Sequence, residues 1–148
     1  MCQVTVQYKF GRSQIMIDIE WSLDQSEPID LVDLLGSIRI VDGHGHEILE
    51  QITFLDSWFD GLIRGFIGLA SATNVEIDLY DEPHHLTFFT SGDELTLAYG
   101  SEQVHPGSIS DFHTVLRQSA SGFIDALRAY GNVNDQVNLK SILAWLND

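Results

Sequence analysis

The chain has 148 residues, of which 44% are hydrophobic and 20% charged, so it has the composition of a globular protein large enough for one packed core. Seven Lys and Arg against 22 Asp and Glu leave a formal net charge of −15. Such a charge repels phosphate groups, which argues against nucleic acids and anionic membrane surfaces as partners. The single cysteine, Cys2, excludes an internal disulfide and any site built from several cysteines.

The sequence carries no segment typical of export or membrane insertion. The first ten residues alternate apolar and polar side chains and lack the basic leader and long apolar run of a signal peptide. Asp56, Asp60 and Arg64 interrupt the most apolar region, so no stretch reaches the ~18 apolar residues of a membrane span. With a lone cysteine, this pattern predicts a soluble protein of the cytoplasm. No linker or repeat divides the chain, and we expect residues 1–148 to form a single α+β domain.

The N-terminal third predicts strands joined by tight turns. Apolar and polar residues alternate over residues 4–10 and again over 15–21, and Gly11 supplies the turn of a β-hairpin. Residues 37–41 and 46–51 predict a second pair of strands. The Asp-Gly-His-Gly sequence between them is a turn signal, because glycine tolerates positive φ.

A short helix is expected between these two strand pairs. Ser26 is a good N-cap, Glu27 places an acid in the first turn, and Pro28 stands where its missing N–H does little harm. A strand over residues 29–35 is the alternative, although it would place Asp33 among the apolar residues.

A longer helix is predicted from about residue 54 to residue 70. Its apolar residues recur at intervals of three and four, which gives the helix a wide buried face. Thr53 is the expected N-cap, with Asp56 at the position of a capping-box acid. Gly61, Gly65 and Gly68 each lower helix propensity by roughly 1 kcal/mol relative to alanine. Their common side predicts that the sheet or a second helix packs very close to this helix.

The second half of the chain predicts a meander followed by helices. Three strands are expected within residues 75–99, then a helix capped by Ser108 or Ser110, and a short last helix that begins at Asn134 or Asp135. The expected fold is therefore α+β: a mostly antiparallel sheet of five to seven strands, with one long helix and two C-terminal helices packed on it. The residues expected in the core are Val6, Tyr8, Ile17, Ile19, Leu55, Phe59, Leu62, Phe66, Ile77, Phe88, Leu97, Phe123 and Leu127.

No catalytic fingerprint is present in the sequence. It lacks the G-x-S-x-G elbow of hydrolases, the phosphate-binding G-x-x-x-x-G-K-[ST] loop and the H-E-x-x-H zinc motif. The acid pairs Asp81-Glu82 and Asp93-Glu94 fall in predicted turns, where solvated carboxylates are the ordinary case. We assign no catalytic residue and no cofactor, which leaves open a catalytic group assembled from distant positions.

Two predicted turns contain histidines. His44 and His46 lie in one turn, and His84 and His85 lie in the other, so three or four nitrogen and oxygen ligands would meet if the turns converged. The spacing matches no structural zinc pattern. Adjacent residues of a strand also point to opposite faces, which separates His84 from His85. We therefore expect no tightly bound metal ion at these four histidines.

The distribution of the acids is the most informative feature of the sequence. Residues 18–60 contain eleven Asp or Glu and a single base, and residues 65–116 contain eight acids and no Lys or Arg. Such stretches cannot neutralise themselves locally, so their field adds up over the surface. Four acids recur at three-residue steps around the predicted short helix and would form an acidic ridge: Asp24, Glu27, Asp30 and Asp33.

These observations favour a non-enzymatic protein whose acidic ridge binds a basic protein partner. An inhibitor of the immunity or antitoxin type, which neutralises a cationic toxin, is the most concrete version, because complementary charge raises association rates. The alternatives are a small enzyme or ligand-binding protein with a pocket between sheet and helices, and a homo-oligomeric structural subunit. A protein that is acidic only for solubility has the same composition.

Overall fold

The computed structural model describes residues 17–24 and 29–148. Within these ranges the seven strands form two antiparallel sheets instead of the single sheet expected from the sequence. The first sheet contains, in spatial order, β1 (Asp18–Leu23), β2 (Leu35–Val41) and β3 (Glu47–Phe54). The second sheet contains β4 (Asn74–Asp78), β5 (His85–Ser91), β6 (Glu94–Tyr99) and β7 (Glu102–Ser108).

Three α-helices cover these sheets. The helices are α1 (Leu55–Gly68), α2 (Ile109–Leu127) and α3 (Val137–Leu146). Helix α1 packs against β4 and β5, helix α2 packs against β1 and β7, and α3 lies on both longer helices. No helix in the described part of the chain is long and apolar enough to cross a membrane.

The first sheet follows the alternation of the sequence. Every second residue of β1 and of the middle of β2 is buried, and Trp21 lies opposite Ile38 in the antiparallel register. The strand expected over residues 15–21 is therefore confirmed from Asp18 onward, and its partner is β2. The other strand expected for that hairpin, at residues 4–10, and the Gly11 turn lie outside the described residues.

Helix α1 confirms the expected close approach to a sheet. A Cβ atom at Gly65 would overlap the ring of Phe88 on β5. At Gly61 it would lie 2.6 Å from Leu79 Cδ2, and at Gly68 it would lie 2.9 Å from Val75 Cγ1. The glycines cost helix propensity, but they bring the helix axis closer to the sheet than a helix with side chains at these positions could lie.

The short helix predicted before β2 is not formed over residues 29–35. Leu31 and Val32 instead occupy a turn in which the Asp33 N–H donates to the Asp30 carbonyl oxygen at 3.1 Å. The Asp30 carboxylate also accepts the Val32 N–H at 3.1 Å, so the side chain competes with the helical hydrogen bond. The predicted start of this helix lies at residues 25–28, which the structure does not describe.

The N-terminal caps of two of the three α-helices differ from the prediction. Phe54 occupies the N-cap position of α1 without a side-chain hydrogen bond, so Thr53 does not cap this helix. Ser108 caps α2 as predicted and accepts the Asp111 N–H at 3.0 Å. Gln136, rather than Asn134 or Asp135, caps α3 by accepting the Leu139 N–H.

The buried residues form one contiguous hydrophobic cluster. It contains every expected core residue within the described ranges except Phe66. Phe66 is only partly buried. Its ring stacks on His113 of α2, with 4.6 Å between the ring centroids, and meets the ring of Trp145 of α3 edge-on. Val6 and Tyr8 lie outside the described residues.

Candidate functional site

A cleft of about 400 Å³ opens where the first sheet, helix α1 and helix α3 meet. We call it the Tyr80 cleft, after the aromatic residue that follows β4. It is lined by Val32, Asp33, Phe54, Asp56, Ser57, Tyr80 and Asn138.

Two large side chains in the wall of the Tyr80 cleft are strongly exposed. Val32 is 74% exposed and Tyr80 is 69% exposed. The Tyr80 ring meets Phe54 edge-on, with 5.2 Å between the ring centroids, and the Tyr80 N–H donates to Ser57 Oγ at 3.0 Å. These two contacts fix the backbone and one edge of Tyr80 while leaving its other surface free for a partner.

The cleft also carries carboxylates that no arginine or lysine in the described ranges neutralises. Asp56 is buried, and its Oδ2 accepts Gln136 Nε2 at 2.9 Å and Asn138 Nδ2 at 2.8 Å. Asp33 is exposed at the rim. The described arginine–carboxylate pairs lie elsewhere: Arg39 with Glu20 and Glu47, Arg64 with Asp60, and Arg128 with Asp125.

A cluster of hydrogen-bonded side chains includes residues that adjoin the cleft-lining residues in the sequence. Tyr99 Oη is 2.6 Å from Glu50 Oε2 and 2.9 Å from Glu82 Oε2. Thr53 Oγ1 donates to Glu82 Oε1 at 2.7 Å and accepts the indole N–H of Trp58 at 2.9 Å. We call these five residues the Tyr99 cluster. It joins β3 of the first sheet to β6 of the second.

The Tyr99 hydroxyl lies between two carboxyl groups and has a single hydrogen to donate to them. The pKa of one of these carboxyl groups, that of Glu82, is raised. Burial raises the pKa of Glu82, the hydrogen bonds from Thr53 and Tyr99 oppose this, and the neighbouring Glu50 carboxyl raises it further. The pKa of Tyr99 is also raised, first by burial and then by the two carboxyl groups, so its hydroxyl stays protonated.

Two residues beside the Tyr99 cluster have positive φ, and the backbone of one of them, Ile52, is strained. Ile52 has a φ of 54° and Asp81 has a φ of 60°, and they are the non-glycine residues with positive φ in the described ranges. For a β-branched residue this conformation is an outlier that costs about 1–3 kcal/mol. Ile52 is also 75% exposed, so burial of its side chain does not offset that cost.

A second polar centre lies at the turn between β2 and β3. The Asp42 carboxylate accepts the backbone N–H groups of His44, His46 and His105 at 2.8, 3.0 and 2.9 Å. Burial acts to raise the pKa of Asp42, but these three hydrogen bonds outweigh it and the pKa is lowered. Since His105 belongs to β7, this carboxylate also connects the two sheets.

The residues expected to form an acidic ridge are only partly brought together. Asp33 lines the Tyr80 cleft, Asp30 lies across the turn from it, and Asp24 is exposed after β1. Glu27 lies outside the described residues. Because residues 29–34 are not helical, the three-residue spacing does not place Asp30 and Asp33 on one helix face.

The predicted histidine turns do not meet in a common ligand set. His84 packs edge-on against Tyr99, and His85 pairs with Glu76 and Asp78. Within the described ranges no group of three or more His, Cys, Asp or Glu is arranged to hold a metal ion. His46 instead neighbours His105, a residue that no motif or spacing in the sequence singles out.

The comparisons with known proteins identify no relative of this chain. No protein-family model matches the chain, and neither the curated proteins nor the solved structures contain a match to it. The candidate site therefore has to be interpreted from its own chemistry.

Proposed function

We propose that this chain is a non-enzymatic acidic protein that binds a basic protein partner at the Tyr80 cleft. An inhibitor of the immunity or antitoxin type, bound to a cationic toxin, is the most concrete form of this proposal. The observation that carries it is an exposed Tyr80 beside Asp33 and Asp56, two carboxylates without a basic neighbour among the described residues.

The Tyr80 ring and the carboxylates would make different contributions to binding. Tyrosine is enriched among residues that dominate the binding energy of protein interfaces, because it buries a large surface at low entropic cost. The carboxylates would attract a cationic partner over distance and raise the association rate. A lysine or arginine of the partner could pair with Asp33 while its alkyl stem covers the Tyr80 ring.

The Tyr99 cluster supports a second candidate, a small enzyme or ligand-binding protein. A carboxyl group with a raised pKa, held next to Asp81 and the strained Ile52, is the kind of arrangement found at acid–base sites. The cleft beside it is large enough for a small ligand. Turnover or saturable binding of a small molecule, lost in Glu82→Gln, would favour this candidate over the first.

The binding proposal is tested by capture from the native source with three baits: the wild type, Tyr80→Ala combined with Asp33→Lys, and Asp135→Lys as a matched control. Asp135 is an exposed acid that does not line the cleft. We expect a basic protein to bind the wild type and the control, and to be lost from the cleft variant. Equal recovery on all three baits would place the interface elsewhere and contradict the proposal.

A further inference from the structure

His46 is held in a defined orientation by the turn that contains it. Its ring Nδ1 lies 3.2 Å from Asp42 Oδ2, and the Asp42 side chain is fully buried. A carboxylate can only accept at this contact, so the hydrogen of a neutral His46 ring lies on Nδ1. The lone pair of the ring is then on Nε2, and the side chain is 56% exposed to solvent.

His105 is placed beside His46 by the same carboxylate. Its backbone N–H donates to Asp42 Oδ2 at 2.9 Å, which brings β7 against the turn. Its ring Nδ1 lies 3.2 Å from Thr96 Oγ1 on β6, and among residues 17–24 and 29–148 no hydrogen bond is formed by its Nε2. The His46 and His105 ring centroids are 5.7 Å apart, with the rings nearly perpendicular.

This geometry points to a two-histidine site for a borderline divalent transition ion such as Cu²⁺, Ni²⁺ or Zn²⁺, which we propose is bound by Nε2 of His46 and Nε2 of His105. Two imidazoles that share an ion at about 2.0–2.1 Å from each nitrogen have centroids about 4.5 Å apart at a right angle, about 5.2 Å apart at a tetrahedral angle and about 6.4 Å apart on opposite sides of the ion. The 5.7 Å separation falls in this range. Water would complete the coordination sphere, since no third protein ligand is arranged around the pair in the described ranges.

The surroundings have the features of a metal-ligand environment. Histidines that bind metals usually donate their other ring N–H to a carboxylate, as His46 does to Asp42. The formal net charge of −15 favours the approach of any cation. The proposal departs from the expectation of no tightly bound metal ion at His46, because the fold places His46 beside His105 and not beside His84 or His85.

The test uses the full chain without a histidine tag, carrying Cys2→Ser because a thiolate is itself a metal ligand. Binding of Cu²⁺, Ni²⁺ and Zn²⁺ is measured by titration calorimetry and by the shift in unfolding temperature. The variants are His46→Gln and His105→Gln, with His85→Gln as the matched control. All three histidines are exposed, so the substitutions leave the core intact.

We expect either His46→Gln or His105→Gln to weaken binding of at least one of these ions by about 10-fold or more, and His85→Gln to leave it unchanged. Thr96→Val should weaken it by about 10-fold, since removal of an outer hydrogen-bond partner typically costs 10–100-fold. The electron paramagnetic resonance spectrum of the Cu²⁺ complex should report two imidazole nitrogens. The proposal is overturned if no ion binds, or if His85→Gln weakens binding as much as the two site variants.

Discussion

The phenol oxygen of Tyr99 lies 2.6 Å from Glu50 Oε2, and this contact joins β6 of the second sheet to β3 of the first. The two sheets share no backbone ladder in the described ranges. The seam where β3 and β7 lie side by side is bridged by side chains, namely by the Tyr99 cluster at one place and by Asp42 at another. Substitutions at these residues should therefore weaken the contact between the two sheets.

The stability of the protein should fall as the pH rises through the folded-state pKa of Glu82. A carboxyl whose pKa is raised in the folded state binds its proton more tightly there than in the unfolded chain. The protonated carboxyl therefore contributes its full stabilisation at pH values below the ordinary glutamate pKa, and this stabilisation is lost at pH values above the raised folded-state pKa of Glu82. Urea unfolding at a series of pH values measures this, and the wild type should lose more stability across that window than Glu82→Gln. Parallel pH profiles for the two proteins would contradict the raised pKa of Glu82.

Tyr99→Phe should destabilise the protein by about 1–3 kcal/mol. The substitution keeps the buried ring but removes the hydroxyl between two carboxyl groups, which leaves partly buried acceptors without their donor. Chemical denaturation measures the loss. Tyr80→Phe is the matched control, because Tyr80 is largely exposed and its replacement should change stability by less than about 0.5 kcal/mol. Equal effects of the two substitutions would show that the Tyr99 hydroxyl contributes nothing specific.

Ile52→Asn should stabilise the protein by about 1 kcal/mol. Asparagine tolerates positive φ, whereas an isoleucine in the left-handed region costs about 1–2 kcal/mol. Val137→Asn controls for the loss of an exposed apolar side chain, since Val137 is similarly exposed and has no positive φ. A loss of stability in Ile52→Asn would mean that contacts of the isoleucine side chain outweigh its backbone strain.

Gly65→Ala should be clearly more destabilising than Gly68→Ala. At Gly65 a new Cβ would overlap the aromatic ring of buried Phe88, which has little room to move, and overpacking of this kind costs about 1–3 kcal/mol or more. At Gly68 the new atom would meet only the end of the partly buried Val75 side chain. A gain of up to ~1 kcal/mol in helix propensity offsets that contact. Thermal unfolding of both variants should give this order, and the reverse order would contradict the packing of α1 on the second sheet.

Once a partner is captured, the two sides of the Tyr80 cleft should affect different rate constants. Asp33→Lys should slow association by about tenfold at low ionic strength, with a smaller effect at high salt. Tyr80→Ala should mainly speed dissociation and weaken binding by about 2 kcal/mol. Surface plasmon resonance at two salt concentrations separates these effects. An association rate insensitive to both salt and Asp33→Lys would remove the electrostatic part of the proposal.

The strands that could be read from the sequence are those with regular alternation. Trp21, Ile38 and Ile40 are buried as their parity predicted, because one face of each strand meets the core. The sequence does not predict strand β7, because Pro106 and Gly107 argue against a regular strand there. The register between β6 and β7 is irregular at this place, so the proline falls where the ladder is already interrupted.

The division into two sheets and the composition of the Tyr99 cluster could not be read from the sequence. Alternation reports which face of a strand is buried, but it does not report which strands are neighbours. Tyr99 falls at the end of the last strand expected within residues 75–99, but its hydroxyl partners lie 49 and 17 positions away in the chain. Asp33 was identified from charge alone, and only the fold places it beside Tyr80.

Strand β4 ends the second sheet, and its outward edge pairs with no other strand in the described part of the chain. An open edge is a template on which a second copy could add its own strand, and repeated addition leads to aggregation. Glu76 and Asp78 are exposed along this strand. Two copies that met edge to edge would bring like charges together and repel each other. Glu76→Gln combined with Asp78→Asn would remove that repulsion, so this variant should scatter more light than the wild type at the same concentration and neutral pH.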